Sequence, residues 1–144
     1  MNKIKDNRNI QSKINLVQPI DKICFSFEYA TDNKNYSMKK LKAGTEKSNV
    51  FDALLDKLAV LSKVGIKELQ ELPRESGFEK IPWSRFKAPV QQIFDGIDVV
   101  SKDSKLTVFR FGSQKYRLLC KDDVRHSNLM YVIAIDLDHS AYDH

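Results

Sequence analysis

Just past the apolar run Tyr131–Ile135, the C-terminus carries Asp136, Asp138, His139, Tyr142, Asp143 and His144. Carboxylates with imidazole can hold Mg²⁺, Mn²⁺ or Zn²⁺, and on an extended strand Asp136 and Asp138 share one face. Their spacing matches no metal signature, so no metal or cofactor is expected; a nuclease metal site on Asp136, Asp138 and a histidine stays as the minor alternative. A second reading joins the tail to Arg110, Lys115 and Arg117, which an antiparallel arrangement brings onto the same sheet surface. Arginine offers a planar, permanently charged fork for phosphate. Histidine titrates near neutrality, and tyrosine can stack on a base or shuttle a proton. Together they could hold an RNA strand and stabilise charge developing at phosphorus. The plain alternatives are a solvated terminus and surface ion pairs from Arg110 and Arg117 to Asp122, Asp123 or Asp136.

Three strands must position these groups. In KLTVFRFGSQKYRLLCKDD, Phe109 and Phe111 share a face opposite Val108 and Arg110, GSQK reads as a tight connection, and Tyr116, Leu118 and Cys120 alternate with Arg117, Leu119 and Lys121. KDDVRHSN is a polar hairpin loop, and LMYVIAIDL is apolar at nearly every position, as a strand covered on both faces is. Upstream, Cys24–Tyr29 has strand character and Tyr36–Lys42 is a candidate hairpin partner across the turn TDNKN. Ser48 opens an amphipathic helix whose stripe is Val50, Leu54, Leu58 and Leu61, widened by Phe51 and Leu55, with Gly65 just past its end. Ile66–Leu72 is a shorter helix stopped by Pro73, and PRESGFEKIPWSRFKAP reads as an irregular crossing anchored by Trp83 and Phe86, with Glu79, Lys80, Arg85 and Lys87 solvated. One or two helical turns fall within Val90–Val100.

The chain has 144 residues, of which 42% are hydrophobic, enough for one domain with its own core. Residues 1–20 read as a flexible arm and 21–144 as a single domain. Net charge is +5, and the excess lies in the first fifty residues, with ten Lys/Arg against five Asp/Glu and Lys39, Lys40 and Lys42 as the densest cluster. That bias favours an anionic partner. Cys24 and Cys120 form no CxxC pattern and read as reduced core residues of a cytoplasmic protein. No secretory signal or membrane-length apolar run is present, so no membrane partner is expected. No glycine-rich phosphate loop or GxSxG elbow occurs.

The order of elements, with FRFGSQKYRLLC followed by a chain ending in DHSAYDH, resembles the RelE/ParE-like toxin superfamily. That resemblance implies an α+β fold: an antiparallel sheet with one long and one or more short helices packed on one face. By it, Arg117 stands where the family contacts the scissile phosphate, while Tyr142, His144 or His139 stands at the terminal acid/base or stacking position. Arg110 and Lys115 are supporting cations, with Lys39, Lys40 and Lys42 as further RNA contacts. The implied activity is metal-independent RNA cleavage by 2′-hydroxyl attack on the adjacent phosphate, with mRNA on the ribosome as substrate and an antitoxin as partner. The alternative is a non-catalytic protein- or nucleic-acid-binding protein of the phage or plasmid defence and counter-defence type.

Overall fold

The computed structural model describes residues 21–39, 41 and 44–143. The expected arm 1–20, Lys40, Lys42 and His144 lie outside the described residues. The elements run β1 (Cys24–Ser26), α1 (Lys47–Leu61), α2 (Ile66–Glu71), β2 (Phe78–Pro82), a 3₁₀ turn (Trp83–Arg85), α3 (Ala88–Asp95), β3 (Lys105–Phe111), β4 (Tyr116–Asp122) and β5 (Leu129–Asp136). The fold is α+β, as expected. The strand order in the sheet is β1-β5-β4-β3-β2.

The C-terminal strands form where the alternating and all-apolar patterns place them, as two successive antiparallel pairs. The sheet itself is mixed rather than antiparallel, because β1 runs parallel to β5, pairing Cys24 with Leu129 and Ser26 with Tyr131. Two strands a hundred residues apart in the chain carry no local signal of their relative direction; only the path of the intervening helices sets it. Tyr36 and Ser37 do not begin a strand. Their N–H groups both donate to Asn33 O, at 3.1 and 2.8 Å, closing a turn that delivers the Tyr36 ring to the core.

Helices cover both faces of the sheet, which corrects the one-face expectation. On one face Val50, Leu54 and Leu61 of α1 pack with Phe109, Phe111, Leu118 and Val132. On the other, Val90 and Phe94 of α3 pack with Leu106, Val108, Leu119 and Ile133. Strands apolar on both sides require this, since each exposed apolar face would forgo about 25 cal/mol per Å² of burial. The α1 stripe is narrower than its sequence suggests: Phe51 and Leu55 are exposed. Gly65 caps the start of α2 rather than the end of α1. Cys120 is buried, but Cys24 is exposed on the short edge strand, and both are free thiols. The stretch read as an irregular crossing contains β2, paired antiparallel to β3 with Glu79 opposite Val108 and Ile81 opposite Leu106. It is an edge strand, which is why Pro82 is tolerated at its end.

Candidate anion-binding cleft

Antiparallel register puts directly opposed residues on the same face of a sheet. Arg110 of β3 is opposite Arg117 of β4, and Arg117 is opposite Asp136 of β5. Glu79 of β2, opposite Val108, lies on the same face one step diagonally from Arg110. The row therefore reads carboxylate, guanidinium, guanidinium, carboxylate across four strands, at the end of the sheet where β3 turns into β4.

The outer carboxylate at β5 stands opposite Arg117 without forming an ion pair with it. Asp136 is fully buried, and its oxygens accept the backbone N–H groups of Ser140 (3.1 Å), Ala141 (3.0 Å) and, at 3.4 Å, Asp138. It organises the turn that folds the C-terminal segment back over the sheet. Its lone pairs are thus committed to backbone, and among the described residues no group of three or more His, Cys, Asp or Glu side chains is gathered as a metal site needs. The turn brings His139 and Tyr142 to the arginines. His139 adopts the left-handed conformation, at φ 59°, and its Nε2 donates to Lys115 O at 2.6 Å. That bond places the neutral ring's proton on Nε2 and its basic lone pair on Nδ1.

Tyr142 is buried, with its ring edge-on to Phe86 at 5.4 Å and its hydroxyl donated to Glu79 Oε1 at 3.1 Å. Burial and the neighbouring Glu79 charge push the phenol up to about 12, with Arg117 opposing. A phenol so placed stays neutral near pH 7 and serves as a hydrogen-bond donor that orients Glu79. Its ring is packed into the core, where no nucleobase can stack on it.

These groups line one cleft of about 350 Å³ with Arg74 and Arg85. Four arginines stand against one glutamate there. Arg85 is itself anchored, donating from Nη2 to Asp143 O at 2.8 Å and lying 6.0 Å from the Tyr142 ring. The two central arginines are the unusual feature. Arg117 is 4% exposed, yet its Nη1 donates to two backbone carbonyls, Gln114 O (2.8 Å) and Tyr116 O (3.2 Å), rather than to a carboxylate. Arg110 Nη1 donates to Gln114 Oε1 at 3.2 Å, and its nearest carboxylate is Glu79, 4.0 Å from Nη2. The Nε atoms of both are buried with no hydrogen-bond partner among the described residues. Like charges directly opposed on a sheet destabilise it, and each unsatisfied buried donor costs about 1–3 kcal/mol.

The surface ion-pair alternative is not what forms. Asp122 pairs with Lys80 and Lys121, Asp123 with His126 and Tyr131, and Asp136 with backbone. Of the residues singled out in the sequence, Arg110, Arg117, His139 and Tyr142 share the cleft. Lys115 contributes its carbonyl, while its side chain is exposed and not part of the lining. Lys39 lines a different cavity, with Phe27, Thr31 and Phe51. Lys40, Lys42 and His144 lie outside the described residues. Glu79, expected to be solvated, is a half-buried cleft residue, hidden in the sequence because FEKIP shows no clean alternation; Arg85 is exposed as expected and lines the cleft from the 3₁₀ turn. Compared with protein-family models, with curated proteins and with solved structures, the chain matches none.

Proposed function

We propose that this cleft binds a phosphodiester of RNA and cleaves it without a metal, with mRNA the substrate class in keeping with the RelE-like resemblance. The observation that carries the reading is the pairing of half-buried Arg110 with buried Arg117, whose opposed, incompletely satisfied guanidiniums have the geometry and the charge to accept an oxyanion between them. In the reaction, the Glu79 carboxylate takes the proton of a ribose 2′-hydroxyl, and that oxygen attacks the adjacent phosphorus. The bond from phosphorus to the 5′-oxygen breaks, and the leaving oxygen takes a proton from the His139 imidazolium. The products are a 2′,3′-cyclic phosphate and a 5′-hydroxyl. Arg110 and Arg117 stabilise the extra charge on the non-bridging oxygens, an effect worth roughly 10²–10³ in rate for a single well-placed donor. Tyr142 holds Glu79 in place through its hydroxyl. Among the described residues no helix is long and apolar enough to cross a membrane.

Glu79→Gln separates chemistry from binding. It removes the base while leaving an isosteric side chain that still accepts from Tyr142. The reading expects the single-turnover cleavage rate to fall by about 10²–10⁴-fold, while affinity for a non-cleavable 2′-O-methyl RNA holds or improves. Undiminished cleavage by Glu79→Gln removes Glu79 from the mechanism. Tight binding by the wild-type chain with no cleavage of any RNA reduces the cleft to a binding site.

A further inference from the structure

The connection between β3 and β4 is built against its own backbone preference. Gly112, Ser113 and Gln114 all have positive φ, at 62°, 54° and 68°. Glycine is required at the first, because a Cβ there would collide with the Tyr116 ring. At the other two positions an L side chain is strained, and glycine or asparagine would be the favoured choice for a hairpin turn. A glutamine in that conformation needs a reason. Its contacts supply one: Gln114 O accepts from Arg117 Nη1 at 2.8 Å, and Gln114 Oε1 accepts from Arg110 Nη1 at 3.2 Å. One residue therefore touches both guanidiniums. The next residue's carbonyl, Lys115 O, accepts from His139 Nε2 at 2.6 Å.

We infer that Gln114 is a positioning residue for the cleft, holding Arg110 at the separation from Arg117 that an RNA phosphate fits; the inference rests on the RNA reading above. Two opposed guanidiniums repel, and among the described residues no carboxylate bridges both: Asp136 is committed to backbone and Glu79 meets Arg110 alone, at 4.0 Å. The amide of Gln114 performs that restraint without adding negative charge, so the cleft keeps its attraction for an anion. A carboxylate at the same place would hold Arg110 and neutralise it. The strained turn aims the side chain: left-handed φ at two successive residues turns the glutamine back over its own hairpin toward β3.

The test uses the full chain and a labelled, non-cleavable 2′-O-methyl RNA oligomer. Gln114→Asn relieves the backbone strain, since asparagine tolerates this conformation, and it is one methylene too short to reach Arg110. The expected result is a melting temperature unchanged or raised by about 1–3 °C, together with affinity weakened by roughly five- to tenfold. In an Arg110→Ala background, Gln114→Asn should weaken affinity no further, because the restraint acts through Arg110. Gln114→Gly, with still less backbone strain, should weaken binding to the same degree. Three results overturn the proposal: Gln114→Asn binding like wild type while Arg110→Ala is impaired; affinity and melting temperature falling together, as for a merely structural residue; or fully additive losses in the double variant. Failure of the wild-type chain to bind the oligomer, or equal binding by Arg117→Met, overturns the RNA reading itself and the positioning role with it.

Discussion

At the start of β3 and end of β4, Lys80, Lys121 and Asp122 satisfy one another. Lys80 Nζ donates to Thr107 Oγ1 at 2.6 Å and lies 3.4 Å from Asp122 Oδ1, and Lys121 Nζ reaches the same oxygen at 3.2 Å and Asp122 O at 2.8 Å. At the opposite end of the same two strands, Arg110 faces Arg117 with buried Nε atoms that have no partner among the described residues and with Glu79 nearby. Both clusters mix cations with a carboxylate across β2, β3 and β4, so composition does not separate them. Satisfaction does. The lysine cluster is complete without a ligand, whereas the arginine cluster is arranged at the expense of stability and is completed by an anion. A local choice that conflicts with the fold's interest is the signature of a functional position.

The largest contrast comes from Arg117→Met. Removing one of two like charges directly opposed on a sheet lifts their repulsion, and it removes a buried Nε that has no partner among the described residues. Denaturant stability should therefore change by less than about 1 kcal/mol or rise, while RNA affinity falls by at least about tenfold. A large loss of stability would place Arg117 with the lysine cluster instead, as a structural cation. Asp122→Asn is the reciprocal change and should leave RNA affinity as it is. Burial alone would raise the Asp122 carboxyl, but Lys80 and Lys121 outweigh it and hold it below the ordinary 3.8. A carboxylate held low in the fold stabilises above its unfolded pKa and loses that contribution as pH falls through the folded one. Wild type should thus lose stability below about pH 3.8 that Asp122→Asn lacks throughout. Partial exposure of the pair limits the effect to less than about 1 kcal/mol, read from denaturation midpoints across the acid range.

The alkaline limb sharpens the cleft side. Tyr142 is raised from 10.0 to about 12, so the fold favours its protonated form. Its contribution is complete below pH 10.0 and is lost as pH climbs toward about 12. Tyr142→Phe should flatten the stability decline over that range, leaving the part due to Tyr29 and Tyr131, whose phenols are also raised, and to Cys120, whose thiol is pushed up by burial. An unchanged alkaline limb would mean that Tyr142 is not held against Glu79 in solution.

Much of this arrangement is legible in the amino-acid order. The alternation in KLTVFRF and YRLLCKD is strong enough to fix both strands and to put Arg110 and Arg117 on adjacent ones, and the polar tail after Ile135 invites the idea that His139 and Tyr142 fold back toward them. The apolar LMYVIAIDL already implied cover on both faces, which α1 and α3 supply. What the sequence hides is partly conformational and partly long-range. Asp136 looks like a free ligand because only the fold of the turn that follows it turns the N–H groups of Asp138, Ser140 and Ala141 onto it. Glu79 looks solvated because its strand is a short edge ending in proline, without the period that marks β3. Gln114 sits in an ordinary polar turn, and its importance appears only with the positive φ and the two guanidiniums it meets. The parallel pairing of β1 with β5 depends on a crossover that no local pattern encodes.

The central claim is that the opposed arginines hold a phosphate for attack by the neighbouring 2′-hydroxyl. It is tested most directly with a DNA oligomer carrying a single ribonucleotide, incubated in excess EDTA with the wild-type chain and with Arg117→Met, the products being resolved by mass spectrometry. The account predicts a single cut 3′ of the ribose by wild type, leaving a 2′,3′-cyclic phosphate and a 5′-hydroxyl, and no cut by Arg117→Met. Cleavage by both proteins alike, or a 5′-phosphate product, would contradict it.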